Sequence, residues 1–363
     1  MDSFCGIAVS DNQMCVQEVW ASKSGVDVKA GQEDQVDSDI WQMLEPGAFD
    51  PNENTSDLKS SLYNMSRSHQ WYSVTEDFLH QRTTVPSGIG LAVPYASSPM
   101  VRTAMCEALR DVLGERDRRR STIDSFIVAG VETPIALAIE RHAHGERGLI
   151  GVVSRGTKSI EVTGIRMTSD SISVERFRET IPKSVVTACQ EFLDGSEPVR
   201  QWFVAPTAID FVQGIQRHSS VEAVSWDVIA SGAARFAQFG RPSINTPFPQ
   251  IRRISPRAMG IVGRNHGGEL FWHRLIDSSE AAVESGWDFG GFRGMPGTIP
   301  VAAWESGSCD YRWLVQSKWN GRLQWWQEPL SVAPGAASES EPVRVLCVED
   351  DEGFHLSICV NTR

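Results

Sequence analysis

Three acids in the last third of the chain lie close in sequence to tryptophan: Asp288 in GWDFGG, Glu305 in AAWESG and Asp310 in SCDYRW. Seven of the 12 tryptophans fall in the same region, at Trp272, Trp287, Trp304, Trp313, Trp319, Trp325 and Trp326. Indole faces stabilise cations, by roughly 2 kcal/mol when the contact is desolvated. An acid buried against such rings has a raised pKa and can act as a proton donor. Trp272, Trp287, Trp304, Trp313, Trp325 and Trp326 are therefore candidate walls of an aromatic pocket, with Asp288, Glu305 and Asp310 as candidate acids for cyclising or isomerising an apolar small molecule. The same indoles equally serve to pack a β-sheet, because each buries a large apolar area.

A second set of charged residues lies near the middle of the chain: Glu132 in VETP, then Arg155, Gly156, Thr157 and Lys158 in SRGTK. Arginine and lysine beside a glycine turn are able to hold an anion by charge. Glu132 is equally well explained as a carboxylate at a helix start, favourably placed against the helix dipole.

The elements needed to position these groups can be read from pattern. From Phe126 the text runs as a strand (FIVAG), a turn, an apolar helix (IALAIERHA), a second turn and a strand pair, LIGVV and SIEVTGI. Ile160, Val162 and Ile165 mark a half-buried strand, and LIGVV reads as an interior one. Upstream, Val101, Met105, Leu109 and Leu113 keep helical spacing between Pro99 and Gly114, the expected start and stop residues. The C-terminal third is glycine-punctuated and strand-like, and VRVLCVE with FHLSICV reads as a hairpin around Asp350 to Gly353.

In this order the segments resemble the seventy-kilodalton heat-shock chaperone family. The resemblance rests on four stretches: SGIGLAVPYASSPMVRTAMCEALRDVLG, the Phe126 to Met167 segment, QWFVAPTAIDFVQGIQRHSSVEAVSWDVIASGAARFAQ, and ISPRAMGIVGRNHGGELFWHRLI. It implies an α/β actin-like (ribonuclease-H-like) ATPase-type lobe over 1–245, in reduced form. A β-rich domain resembling the family's peptide-binding β-sandwich would follow over 246–363. On this resemblance the interval from Thr163 to the helix at Val185 is expected to lack the subdomain that closes over adenine, and the β domain is expected to lack the helical lid.

The departures from the family pattern bear on its chemistry. A phosphate cradle needs several backbone N–H groups aimed at one anion, and glycine permits that approach. The family's Asp-Leu-Gly-Gly-Gly-Thr loop reads Val152-Val153-Ser154-Arg155-Gly156-Thr157 here, Ser10-Asp11-Asn12 replaces Gly-Thr-Thr, and Ala205-Pro206 takes the Gly-Gly position. Asp11 would repel a phosphate, and proline removes a donor. The expectation is a lobe without ATP or magnesium, in which Glu132, Arg155, Gly156, Thr157 and Lys158 are a remnant.

Composition narrows the partners. The formal net charge is −12, and residues 1 to 80 carry fourteen acids against four bases. Residues 24–60 are polar and acidic and read as a long loop insertion. Nucleic acid is an unsuitable partner for such a chain, and the basic run Arg116 to Arg120 reads as a solvated helix end. Seven scattered cysteines and eight histidines show no metal-ligand spacing. Without a signal-peptide pattern or an apolar run of membrane-spanning length, the cytosol is the expected compartment.

Three functions remain open at this level. The first is a nucleotide-independent, pseudo-chaperone-like binding or scaffold protein for an apolar peptide or protein partner. The second is a repurposed enzyme acting on an apolar small molecule in the tryptophan pocket. The third is a residual ATP-dependent chaperone.

Overall fold

The computed structural model describes residues 2–9, 13–22, 25–36, 40–44, 48–50, 52–82, 85–116, 127–156, 159–193, 197–199, 201–211, 220–239, 248–265, 267–281, 287–289, 298–304, 313–316, 321–331, 343–350 and 353–359. The chain divides into two compact units. Unit 1 comprises Met1–Glu45, Leu62–Ser97 and Val101–Arg252, and unit 2 comprises Pro46–Ser61, Ser98–Met100 and Arg253–Arg363.

Unit 1 opens with an antiparallel meander, β1 (Asp2–Val9), β2 (Gln13–Ser22) and β3 (Gly25–Gln35). After α1 (Ile40–Met43), α2 (Thr55–Ser68) and α3 (Gln70–His80), the chain returns as β4 (Gly88–Val93), parallel to β1. Then α4 (Pro99–Arg116) leads to β5 (Ile127–Glu132), parallel to β4. The sheet order is β3-β2-β1-β4-β5.

The second sheet repeats this plan. Following α5 (Thr133–Ala143), the strands β6 (Gly148–Arg155), β7 (Ile160–Met167) and β8 (Ser171–Thr180) form an antiparallel meander. After α6 (Val185–Leu193), β9 (Gln201–Val204) joins parallel to β6, and β10 (Ser220–Ala223) parallel to β9. With α7 (Trp226–Phe239) and β11 (Gln250–Arg252), the order reads β10-β9-β6-β7-β8-β11. Without β11, each sheet has a three-stranded meander whose first strand also carries two parallel strands on its other side.

Small residues decide how α7 seats. Ala230, Ser231, Gly232, Ala233 and Ala234 are all buried. A side chain at Gly90 of β4 would collide with the Ala233 carbonyl, and one at Gly232 with the Ala136 carbonyl of α5. The helix backbone therefore lies directly on both elements, a distance only glycine permits. Glu140 of α5 is buried and accepts from Arg235 Nε of α7 at 2.6 Å, which fixes the two helices against rotation.

Residues 24–60 differ from the loop expected there. β3 pairs with β2 along its length, while Ile40, Trp41 and Leu44 are buried and Trp41 Nε1 donates to the Val9 carbonyl at 3.0 Å. The misreading has a physical origin. β3 is an edge strand, where charged side chains are favoured; Val26, Val28 and Ala30 alternate with Asp27 and Lys29 in its first half, and only the polar second half, GQEDQ, departs from a strand pattern.

Unit 2 is β-rich. β12 (Met259–Arg264), β13 (Leu270–Ile276), β15 (Thr298–Trp304), β16 (Trp313–Val315) and β17 (Leu323–Ser331) make a sheet in the order β16-β13-β12-β15-β17. A smaller sheet is built from β14 (Trp287–Phe289), β18 (Val343–Asp350) and β19 (Gly353–Cys359), the last two being the antiparallel hairpin read from the sequence. The two sheets share a core of Met259, Ile261, Val301, Trp326, Val345, Phe354 and Leu356. No described helix is long and apolar enough to cross a membrane.

Candidate functional site

In unit 1, β5 delivers Glu132 to the start of α5, where its backbone is extended (φ −66, ψ 135) and its side chain makes no cap. The carboxylate instead meets Arg102 of α4, with Nη2 to Oε1 at 2.9 Å and both side chains nearly sealed from water. The arginine stem occupies the space left by the missing side chain of Gly130. Such a pair is held because removing either partner strands a buried charge.

At the turn after β6, Arg155 is half-buried and Gly156 is buried. The Gly156 amide donates to the Ser159 carbonyl at 2.8 Å, and the Ala205 amide to the Val153 carbonyl at 2.9 Å. Both amides expected to face an anion are thus engaged within the fold. Pro206, which has no amide hydrogen, begins a short 3-10 turn, Pro206–Phe211. Thr157, Lys158 and the Ser10 to Asn12 segment lie outside the described residues.

Glu161 of β7, which no motif singled out, is completely buried. It accepts from the backbone amides of Tyr95 and Ala96, at 2.8 and 2.9 Å, and so ties the turn after β4 to the second sheet. Two charge-assisted bonds to a carboxylate are strong enough to compensate its desolvation. Its sequence signal was an acid at the second position of an otherwise apolar strand, IEVTGI.

The tryptophans of unit 2 separate into distinct environments. Trp272 and Trp304 are buried and stacked on one face of the five-stranded sheet, with ring centroids 5.6 Å apart, and Trp272 Nε1 donates to the Ala302 carbonyl at 3.2 Å. Trp326 belongs to the core shared with the smaller sheet and donates to the Phe354 carbonyl at 3.1 Å. Trp287 packs at the border of that core. For Trp313 only the backbone in β16 is described. Asp288 lies in β14 opposite Arg344 in the ladder, while Glu305, Asp310 and Trp319 lie outside the described residues.

Trp325 is the exception. Its Nε1 donates to Glu53 Oε2 at 3.1 Å, and its ring meets Phe49 with centroids 4.5 Å apart. These contacts border a groove of about 630 Å³ lined by the first turn of α2 and by β15 and β17, including Glu53, Lys59, Pro300, Trp325, Glu328 and Pro329. Lys59 Nζ and Glu328 Oε1 are 2.9 Å apart across it. The volume is in the range of small-molecule sites. The sequence signal was two prolines inside strand-like text, which mark edges or bulges.

No protein-family model matches this chain, and no curated protein does. Among solved structures, YeaZ from Pseudomonas aeruginosa is similar over 66% of this chain and 95% of its own, with 11% identity and a TM-score of 0.36. A likeness that loose transfers no residue role, so the site stands on its own geometry.

Among the described residues no three His, Cys, Asp or Glu side chains gather as metal ligands. Burial pushes the Cys189 thiol up to about 12 and that of Cys5 higher still, with the Glu18 charge adding to the latter. Thiols so shifted are poor nucleophiles at neutral pH.

Proposed function

We propose that this chain is a nucleotide-independent binding or scaffold protein, chaperone-like in plan, with an actin-like lobe serving as a frame and a β-rich unit carrying the ligand site. The mixed α/β sheets of unit 1, with helices between their strands, agree with the α/β lobe that the sequence resemblance implies. The observation that carries the functional reading is the internal use of the amides of Gly156 and Ala205. A triphosphate would have to break those bonds before it gained any of its own. The Arg102–Glu132 pair adds to this, because a carboxylate already neutralised by a buried guanidinium is not available to a magnesium ion.

The ligand class on this reading is a peptide or protein partner in the cytosol, without nucleic acid or membrane. A melting experiment tests it. Five millimolar ATP with magnesium is expected to leave Tm unchanged, whereas a ligand selective for the native state must raise it. Labelled short apolar peptides are expected to bind with the same affinity in the presence and absence of ATP. A clear ATP-dependent rise in Tm overturns the reading.

One observation favours a second reading, a repurposed cyclase or isomerase. Trp325 and Glu53 bring an indole and a carboxylate together in one concave site. The indole, however, donates its proton to that carboxylate, an arrangement suited to an acceptor. Turnover of an apolar substrate that disappears in Glu53→Gln would favour catalysis.

A further inference from the structure

The groove beside Trp325 owes its shape to a break in the sheet. Along β15 and β17 the paired positions run Ile299 with Leu330, then Val301 with Gln327, so Pro300 on one strand faces Glu328 and Pro329 on the other out of register. Neither proline has an amide to give to the ladder. A bulge of this kind re-aims the side chains beside it. After five consecutive buried residues in β17, Glu328 turns out to solvent with 56% of its side chain exposed.

Across the groove, Asn54 caps α2 by accepting from the Ser56 amide at 3.2 Å, which places Glu53 immediately before the helix. Glu53 is exposed, and of its two oxygens Oε2 takes the Trp325 bond. Lys59, one turn into the helix, reaches Glu328 in a pair exposed enough to be weak. The groove therefore carries two carboxylates and one ammonium, inside a chain of net charge −12. Its apolar surface is limited to half-buried Pro300 and Pro329 and the edge of Trp325, which is only 3% exposed, room for an aliphatic stem and too little for a large apolar side chain.

From this charge complementarity we infer that the groove holds a lysine or arginine side chain presented on an extended peptide, its cationic head displacing Lys59 from Glu328 and sharing Glu53. The inference rests on the binding-protein reading and names the chemistry of its partner. A peptide is favoured over a free amine because the groove runs along a strand and a helix turn rather than closing around a single group.

The probe is a fluorescein-labelled, capped heptapeptide with a central arginine between alanines, titrated against the full chain by anisotropy. Binding is expected to weaken about threefold in Glu53→Gln and about tenfold in Glu328→Lys, with Glu328→Gln between them. It should also weaken as NaCl is raised, because exposed charges are screened. Replacing the central arginine by glutamate should weaken it about tenfold. Circular dichroism melts check that the variants, all at exposed positions, remain folded.

Equal affinity for the arginine and glutamate peptides, an unchanged Kd in folded Glu328→Lys, or no binding of the arginine peptide overturns the inference. Displacement by an equimolar amount of N-acetylarginine amide overturns the peptide assignment. If peptides bind with indifference to both acids and ATP has no effect, the binding reading survives and the groove assignment fails. Stabilisation by ATP with magnesium removes the reading on which both stand.

Discussion

The carboxylates of the two units are used in opposite ways. In unit 1, Glu132, Glu140 and Glu161 are buried, and each is held by internal donors: Arg102, then Arg235 with His144, then the amides of Tyr95 and Ala96. In unit 2, Glu53 and Glu328 face solvent, the first taking an indole N–H and the second the half-buried Lys59. Buried acids whose valences are filled by the fold hold shape. Acids left partly unfilled beside a groove are the ones a ligand can reach.

The contrast is most easily broken at Arg102. Arg102→Ala takes the guanidinium away from buried Glu132, with an expected loss of about 3–5 kcal/mol in urea unfolding. The double change Arg102→Met with Glu132→Leu should recover most of that loss, since apolar replacements of a buried pair are often neutral. A loss under about 1 kcal/mol from the single change would mean that the pair is not the buried tie its geometry describes.

Next in size is Glu161→Gln, expected to lose about 2 kcal/mol, because an amide side chain has one acceptor oxygen for two backbone donors and no charge. Hydrogen exchange should then speed up at Tyr95 and Ala96 specifically. An unchanged exchange pattern would show that the turn after β4 is held by something else.

A smaller effect is expected with acid. Desolvation holds the His142 imidazole below its ordinary value, although its Nε2–H donates to the Thr168 carbonyl, 2.8 Å away. The folded pKa is thus below the unfolded one, so the unfolded chain takes up its proton first as pH falls. Stability is complete above about 6.5 and declines as pH drops through that value. His142→Gln should flatten this part of the profile in thermal melts between pH 7 and pH 5. An identical slope in the variant would assign the loss to other groups.

The smallest change is expected in unit 2. Glu328→Gln should alter stability by no more than about 0.5 kcal/mol, as for other exposed positions. If it unfolds the protein, the comparison between the units fails at its second half.

Much of unit 1 was legible before folding, and the reasons are local. The β6–β7 hairpin and α5 follow from short-range periodicity, and the start of α4 from Pro99. The polar second half of β3 was hidden because charged side chains are favoured on an edge strand. In unit 2 the hairpin of β18 and β19 was equally readable. The tryptophans were not, because their positions in the text say that they are large and apolar and not which face of a sheet each will occupy. Adjacent residues of β17, Trp325 and Trp326, bond in opposite directions, one to Glu53 and one to Phe354.

Residue order alone determined elements such as α4, α5 and the β6–β7 and β18–β19 hairpins, the glycine and proline substitutions at the expected phosphate turns, and the acidity of the chain, since each depends on neighbours within a few positions or on composition. The partners of those residues were decided only in three dimensions. Arg102 finds Glu132 thirty positions away, Tyr95 finds Glu161 at sixty-six, and Glu53 finds Trp325 at 272. A carboxylate's role depends on which donors reach it and how much water remains around it, and both are properties of packing between distant segments.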